Sequence, residues 1–137
     1  MALTIVDAGV VIAFLDADDA HHAQSHSALA AARAAGPIGL PASALAEVLV
    51  GPSRSGPEAV AAVRRFVAAL PITVLPLDED IAVDAARLRA DFAKRLRLPD
   101  ALVIATARIR GANFLLTTDR GWPAQASLGL PGTLVVV

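Results

Sequence analysis

The sequence predicts an α/β protein in which a central, mainly parallel sheet of four to five strands lies between two layers of helices, a three-layer α/β/α sandwich. Short apolar runs, which suit strands buried on both faces, alternate with longer segments whose apolar residues recur every three to four positions. Such alternation favours right-handed crossovers between parallel strands. No linker or internal repeat divides the 137 residues, so residues 1–137 are expected to form one domain.

The first part of the chain predicts two strands and a long helix. Residues 2–6 form a short apolar run that ends at Asp7, and helical patterning follows. Residues 19–35 are rich in alanine, a strong helix former, and Gly36-Pro37 is a signal for the end of a helix. Residues 38–40 are apolar and form the second predicted strand.

A further helix is predicted over residues 42–51, immediately after Pro41. Its apolar positions recur at helical spacing, and Gly51-Pro52 is expected to end it because proline cannot donate a backbone hydrogen bond. The next residues, 51–57, contain only glycine, proline, serine and one arginine. We therefore expect a flexible loop there.

The middle of the chain predicts two more helices with a strand between them. Apolar residues from 57 to 70 recur three and four apart, and Pro71 stops this helix before a strand over residues 72–75. Residues 80–95 repeat the helical pattern. The spacing of their apolar residues places Asp84 on or near the face exposed to water.

The last part of the chain predicts one helix and two strands. The helix covers residues 99–110 and is closed by Gly111. The strands cover residues 114–117 and 133–136, and the second is expected to lie at an edge of the sheet. Residues 120–132 are expected to be irregular.

Composition excludes several classes of protein. The chain has no cysteine, which excludes disulfides, thiolate metal sites and cysteine nucleophiles and suits a reducing, cytoplasmic environment. A net charge of -1 excludes a general polycation, so contact with nucleic acid must be local. No apolar stretch approaches the roughly 20 residues of a membrane helix. Hydrophobic residues make up 55% of the chain, which suggests that a partner covers part of the surface.

Four acidic residues stand out because apolar residues surround them: Asp7, Glu47, Asp100 and Asp119. Asp7 and Asp119 follow predicted strands, and strand ends form the ligand crevice of an open parallel sheet. Taken alone, Asp7 and Asp119 are better explained as strand-end turn residues or helix caps, and Asp100 suits the helix dipole. Glu47 is harder to explain in this way, because its helix is otherwise apolar around it.

If these four side chains meet, their charges require a cation. Two carboxylates about 4 Å apart repel by roughly 4 kcal/mol at an effective dielectric constant near 20, and only protonation or a cation relieves that repulsion. Oxygen ligands without cysteine select hard ions, so Mg²⁺ or Mn²⁺ is expected. A sparse carboxylate site of this kind leaves positions free for phosphate oxygens and a water molecule, which indicates phosphodiester hydrolysis.

The order and surroundings of these residues resemble PIN-domain proteins of the VapC toxin type. The resemblance covers almost the whole chain and is carried by the segments IVDAGVVIAFLDADDAHH, ALAEVLVG, RLRLPDALVIATA and NFLLTTDRGW. It implies a PIN-like sandwich with the first and fourth strands adjacent and a metal-dependent ribonuclease that leaves a 5′-phosphate and a 3′-hydroxyl. It also implies a homodimer, and inhibition by a cognate VapB-like antitoxin that occupies the active-site groove.

The resemblance also assigns roles by position. Asp7 and Asp100 match the two firmest metal ligands, and Glu47 and Asp119 complete the site directly or through water. One position departs from the family pattern, because many relatives carry serine or asparagine where this chain has Gly9. The side-chain hydrogen bond of that residue is therefore expected to be missing.

Other candidate residues have weaker support. His22 and His26 are four residues apart and could bind a transition metal, but a solvated helix face explains them and His21 better. Trp122 could stack on a base or anchor a loop. The candidate phosphate contacts are Arg54, Lys94, Arg95, Arg97 and Arg120.

The main alternative function is a catalytically silent PIN fold that binds RNA or protein, which Gly9 mildly favours. A receiver domain is excluded because it needs a lysine after its last strand, and the sole lysine, Lys94, lies in a predicted helix. A haloacid-dehalogenase-type phosphatase needs Asp-x-Asp after the first strand, where this chain has Asp7-Ala8-Gly9. A Rossmann cofactor domain needs a glycine fingerprint that is absent.

Overall fold

A computed structural model describes all residues from 1 to 137 and contains one five-stranded sheet. The strands are β1 (Thr4–Val6), β2 (Ile38–Pro41), β3 (Ile72–Leu75), β4 (Phe114–Thr117) and β5 (Thr133–Val136). Every neighbouring pair is parallel, in the order β3-β2-β1-β4-β5. The predicted parallel sheet, the adjacent first and fourth strands and the C-terminal edge strand are confirmed.

Seven α-helices and one short 3₁₀ turn connect the strands. The helices are α1 (Ala8–Leu15), α2 (His22–Ala35), α3 (Ala42–Ser55), α4 (Pro57–Ala69), α5 (Glu79–Phe92), α6 (Leu98–Ile109) and α7 (Gln125–Leu128). The chain moves outward from β1 to β3 and then returns to β4. Right-handed crossovers place the helices of these two legs on opposite faces of the sheet, which gives the three layers. No helix is both long enough and apolar enough to cross a membrane.

The centre of the sheet is the most deeply buried part of the molecule. Ile5 and Val6 of β1 and Leu40 of β2 have no exposed surface, and Leu115 of β4 is almost fully covered. β1 and β4 are neighbours in the sheet. The chain leaves β1 toward β2 on one side and leaves β4 toward β5 on the other side. The carboxyl ends of β1 and β4 therefore form the topological switch point at which ligands bind in open α/β sheets.

The predicted end of α3 at Gly51-Pro52 is wrong, because the helix continues through both residues to Ser55. Pro52 cannot donate a hydrogen bond, but it lies near the C-terminal end of the helix and is only partly buried. The helix ends at Gly56, whose φ of 122° suits glycine and whose amide donates to Pro52 O at 3.2 Å. Residues 51–57 are thus mostly helical and do not form the flexible loop that their composition predicts.

The start of the second helix and the stretch after β4 also differ from the prediction. The second helix begins at His22 and not at Asp19, because the Asp19 carboxylate accepts a hydrogen bond from the amide of His21 at 2.8 Å and so holds a turn ahead of the helix. The stretch from 120 to 132 contains α7, a single helical turn whose Leu128 is fully buried.

Asp84 does not lie on the exposed face, so that prediction is also wrong. Its side chain is 8% exposed, because α6 packs on α5 and covers it. Arg108 of α6 supplies the opposite charge, with 3.1 Å between Arg108 Nε and Asp84 Oδ2. The same guanidinium donates to Leu128 O at 2.8 Å, so the ion pair joins α5, α6 and α7.

Gly9 in the first turn of α1 is in close contact with the end of β4. A Cβ atom on Gly9 would lie 2.4 Å from Thr118 Oγ1, well inside van der Waals contact, and 3.6 Å from Thr118 Cβ. Glycine is normally a poor helix residue, so its presence here follows from the space taken by the threonine hydroxyl.

The ion pair gives the first prediction. Arg108→Met should lower the free energy of unfolding by roughly 3 kcal/mol, because it leaves the buried Asp84 charge without a partner. Arg110→Met is the control, since Arg110 is 4.0 Å from Asp78 and both side chains are more than one third exposed, so its loss should cost less than about 1 kcal/mol. Urea unfolding measures both values. Equal effects in the two variants would contradict the assignment.

The contact at Gly9 gives the second prediction, a reversal of sign between two backgrounds. Gly9→Ala should destabilise the protein by about 1–2 kcal/mol, because its Cβ meets the Thr118 hydroxyl. In a Thr118→Ala background the same substitution should stabilise the protein by up to about 1 kcal/mol, the usual preference of a helix for alanine over glycine. The four proteins of this cycle are compared by urea unfolding, and the same sign in both backgrounds would show that the hydroxyl is not the obstacle.

Candidate active site

Asp7 lies where β1 ends and α1 begins. Its amide donates to Leu116 O of β4 at 2.9 Å, which fixes its backbone against the sheet. As the N-cap of α1, its Oδ1 accepts a hydrogen bond from the amide of Ala8 at 2.8 Å. Its Oδ2 accepts from Thr117 Oγ1 at 2.9 Å. The residue is only 8% exposed, so it is both a helix cap and a buried charged group.

Thr117 is a site residue that sequence reasoning missed. It is fully buried at the end of β4, where its hydroxyl donates to Asp7 and accepts a hydrogen bond from the amide of Asp119 at 3.1 Å. One hydroxyl group therefore fixes the segments that carry two of the four acids. A threonine at the end of an apolar strand and two residues before an aspartate was the available signal.

Asp119 follows β4 in a tight turn. Its Oδ1 accepts a hydrogen bond from the amide of Gly121 at 2.7 Å, and the residue is half-buried. The turn returns the chain to the core at Trp122, which is 8% exposed. Trp122 is thus a loop anchor, and too little of its ring is exposed for a base to stack on it.

Asp100 occupies the first turn of α6, and its side chain is 15% exposed. The nearest cation is Arg97, one helical turn away, with 3.8 Å between Arg97 Nε and Asp100 Oδ2. Arg97 is itself 79% exposed, so this pair is weak and screened by solvent. Asp100 is therefore a half-buried carboxylate whose negative charge is only weakly compensated by Arg97.

Glu47 differs from the sequence prediction because it is exposed. Only Ala44 and Val48 of α3 are buried, so the apolar residues around Glu47 form a narrower buried stripe than the sequence indicates. Its pKa is nevertheless raised, first by partial desolvation and then by the charge of Asp100, whereas Arg97 lowers it. Glu47 thus lies at the solvent-facing rim of the same group of acids.

The pKa of Asp7 is raised from 3.8 to about 6. Burial is the largest cause, because it disfavours the charged form. The hydrogen bonds from Thr117 and Ala8 lower the pKa, but the negative charges of Asp100 and Glu47 raise it again. A buried carboxylate whose other charged neighbours are also negative is poised to receive a cation.

The pKa of Asp100 is raised in the same way. Burial is the largest cause, Arg97 opposes it, and the charge of Asp119 raises the pKa further. The charge of Asp100 also raises the pKa values of Asp7 and Glu47. Asp100 therefore interacts electrostatically with each of the other three acids. The structure brings all four predicted residues into one region at the carboxyl edge of β1 and β4.

The four carboxylates lie in the same region, but they do not converge on a single point. No group of three or more acidic or histidine side chains lies close enough together to hold a metal ion as the side chains stand. The donors are nevertheless carboxylate oxygens without sulfur or imidazole, and the pKa values of three of them are raised. This set fits a hard divalent ion that keeps several water ligands and takes few direct protein ligands.

The position of Gly9 is not an empty gap in the site. Thr118 Oγ1 fills the space next to it, so a hydroxyl group is present beside the first turn of α1 even though Gly9 has no side chain.

The histidines are used elsewhere in the fold. His22 Nδ1 is 2.8 Å from Ala13 O, and the ring of His26 stacks on Phe14 with 5.2 Å between centroids. His21 lies 3.5 Å from Asp19. These contacts agree with the interpretation of the histidines as helix-surface residues.

The fold is shared with several solved structures. A toxin-antitoxin complex from Klebsiella pneumoniae matches over 97% of this chain and 96% of that chain, with a TM-score of 0.68 and 23% identity. The sarcin-ricin loop cleaving toxin VapC20 of Mycobacterium tuberculosis matches over 93% and 95%, with a TM-score of 0.66 and 19% identity. VapBC2 of Rickettsia felis, bound to a promoter DNA fragment, matches over 98% of both chains, with a TM-score of 0.70 and 14% identity.

No curated protein is significantly similar in sequence. The family model of the PIN domain, however, matches residues 4–128, a range that begins at β1 and ends with α7. This range includes all four acids and Thr117, together with every strand except the C-terminal one. By its sequence and its fold, the chain belongs to the PIN domain family.

Proposed function

We propose that this protein is a metal-dependent endoribonuclease and the toxin of a toxin-antitoxin pair. The observation that carries the proposal is the buried Asp7 carboxylate, which is surrounded by the charges of Asp100 and Glu47 at the switch point of the sheet. Membership of the PIN family and a fold shared with a toxin that cleaves the sarcin-ricin loop support it further.

In this proposal Asp7 and Asp100 are the direct ligands of Mg²⁺ or Mn²⁺. Asp119 and Glu47 complete the site, either directly or through water, and the exposure of Glu47 favours the second role for that residue. When bound, the ion supplies a Lewis acid that activates water and neutralises the charge that develops on the scissile phosphate.

The protein's own groups hold these acids in place. Thr117 binds one oxygen of Asp7 and the amide of Ala8 binds the other, so rotation of this carboxylate is restricted. The amide of Gly121 restrains Asp119 in the same way. Because these carboxylate oxygens are fixed before the ion binds, less reorganisation is required for ion binding and for catalysis.

The partner in this proposal is a VapB-like antitoxin, and the toxin itself is a homodimer. Similar structures include a toxin-antitoxin complex and a VapBC complex on promoter DNA. Apolar surface is available for such partners, since Phe66 is 48% exposed and a groove of about 580 Å³ lies between α3, α4 and β3. Arg64 and Arg65 line this groove, which favours an acidic, apolar segment.

The nuclease proposal predicts loss of cleavage in Asp7→Asn. This variant keeps the size of the side chain and an oxygen that can cap α1, but it removes the charge. RNA cleavage with Mg²⁺ or Mn²⁺ should fall at least about 100-fold, whereas Asp91→Asn, an exposed acid of α5, should cleave normally. Cleavage is measured on total RNA by sequencing the ends, which should carry a 5′-phosphate and a 3′-hydroxyl. A protein that neither cleaves RNA nor binds the metal would instead be a silent module.

The buried charge of Asp7 also predicts how stability depends on pH in the presence of a chelator. The folded-state pKa of about 6 exceeds the ordinary value of 3.8. Between these two pH values the folded protein keeps a proton on Asp7 that the unfolded chain has released, so the free energy of unfolding falls as the pH rises through this range. The loss attributable to Asp7 is roughly 3 kcal/mol and is nearly complete at about one pH unit above the folded-state pKa.

Asp7→Asn should therefore be more stable than the unaltered protein at pH 7.5, and this advantage should disappear near pH 4. Urea unfolding at the two pH values measures the difference. Addition of Mg²⁺ at pH 7.5 should stabilise the unaltered protein and leave Asp7→Asn nearly unchanged. An Asp7→Asn variant that is less stable at both pH values would show that the carboxylate is not under electrostatic strain.

A further inference from the structure

Trp122 has a buried polar group that the fold does not use. The residue is 8% exposed, and its indole nitrogen has no exposed surface and no hydrogen-bond partner of acceptable geometry. A buried indole N–H normally finds an acceptor, because it loses its hydrogen bond to water on folding. The N–H of Trp122 is therefore available to donate a hydrogen bond to a nearby acceptor.

The acceptor on which the indole N–H acts is the carboxylate of Asp100. Burial raises the pKa of Asp100, and hydrogen bonding by Trp122 opposes that rise, so the indole N–H acts on this carboxylate. The contact does not have the geometry of a full hydrogen bond, since Trp122 Nε1 has no partner. Trp122 directly follows the turn at Asp119, which the amide of Gly121 closes at 2.7 Å, and is buried there. Arg97, the other donor near Asp100, is exposed and 3.8 Å away.

We propose that the indole N–H of Trp122 is a positioning donor that holds one oxygen of Asp100, so that the carboxylate is oriented for a divalent ion. Trp122 does not touch the ion or the RNA and acts through Asp100 alone. The inference rests on the proposed function in one respect, the assignment of Asp100 as a metal ligand. Outer-shell donors of this kind commonly change metal affinity or activity 10- to 100-fold.

The sequence supplies a direct readout for this proposal. Trp122 is the only tryptophan and the chain has no tyrosine, so its fluorescence comes from the proposed donor alone. Mg²⁺ does not quench fluorescence by itself, and a change in emission on Mg²⁺ binding would therefore report on the surroundings of the indole. No RNA is needed for this measurement.

The first test is a titration of the full-length protein with Mg²⁺, observed by emission and by calorimetry. The emission of the unaltered protein should change with the same midpoint as the heat of binding. Asp100→Asn should abolish the change, and Glu58→Gln, which removes an exposed charge at the start of α4, should leave it intact. Mg²⁺ binding without a change in emission, or an unaltered response in Asp100→Asn, would overturn the proposal.

The second test removes only the N–H. Trp122→Phe should weaken Mg²⁺ binding by about tenfold or more in calorimetry, with a similar loss in RNA cleavage. If that variant does not fold, replacement of the single tryptophan by benzothienylalanine keeps the ring shape and substitutes sulfur for the N–H. Normal Mg²⁺ affinity in a folded variant of either kind would overturn the proposal.

These results separate the proposal from the nuclease function. A protein that binds Mg²⁺, responds at Trp122 and cleaves no RNA would refute the nuclease and support the positioning role. A protein that cleaves RNA equally well with and without the N–H, at normal Mg²⁺ affinity, would keep the nuclease and refute the role of Trp122.

Discussion

The pairing of β1 with β4 is the constraint on which the candidate site depends. The register places Val6 opposite Leu116, so that Asp7 and Thr117 follow side by side at the carboxyl edge of the sheet. A bond from the Asp7 amide to Leu116 O and a bond from Thr117 Oγ1 to the Asp7 carboxylate then lock the two strand ends together. Residues 110 positions apart in the chain thus share one hydrogen bond, and a slip of one residue would turn Thr117 to the other face.

The same pairing imposes a cost on the fold. It buries a carboxylate at 8% exposure, and the resulting rise of its pKa to about 6 means that the folded protein is less stable at neutral pH than it would be with a neutral residue. The N-cap bond and the Thr117 bond offset only part of this cost. A carboxylate that destabilises the fold and yet is held by two hydrogen bonds is typical of a functional site, where a ligand offsets the unfavourable electrostatic energy.

Local sequence was enough to predict the sheet, because each strand is a short apolar run bounded by residues that stop a helix or start a turn. The limits predicted for the last three strands, at 72–75, 114–117 and 133–136, are those of the structure. The errors arose where tertiary contacts decide. Pro52 is tolerated near a helix end, and Asp84 is buried because Arg108 comes from another helix. Neither fact is contained in the pattern of neighbouring residues.

The candidate site was predictable in its members but not in its arrangement. Strand ends and an isolated acid within an apolar helix identified Asp7, Asp119 and Glu47, and the start of an apolar helix identified Asp100. Pattern alone could not show that Glu47 is exposed, because the buried stripe of α3 is set by the surface on which it packs. Nor could it show that the Thr117 hydroxyl contacts both Asp7 and the amide of Asp119, because that contact depends on how β4 pairs with β1.

The arrangement also bears on how a polyanion could approach this protein. The net charge is -1, and Arg97, the cation that lowers the pKa values of both Asp100 and Glu47, is largely exposed. A phosphate brought to these acids would meet repulsion from the protein as well as the cost of its own desolvation. A divalent ion reverses the sign of the local field, so in the proposed function ion binding and substrate binding depend on each other. The acids that make the site costly in the folded protein are then the groups that make RNA binding conditional on the ion.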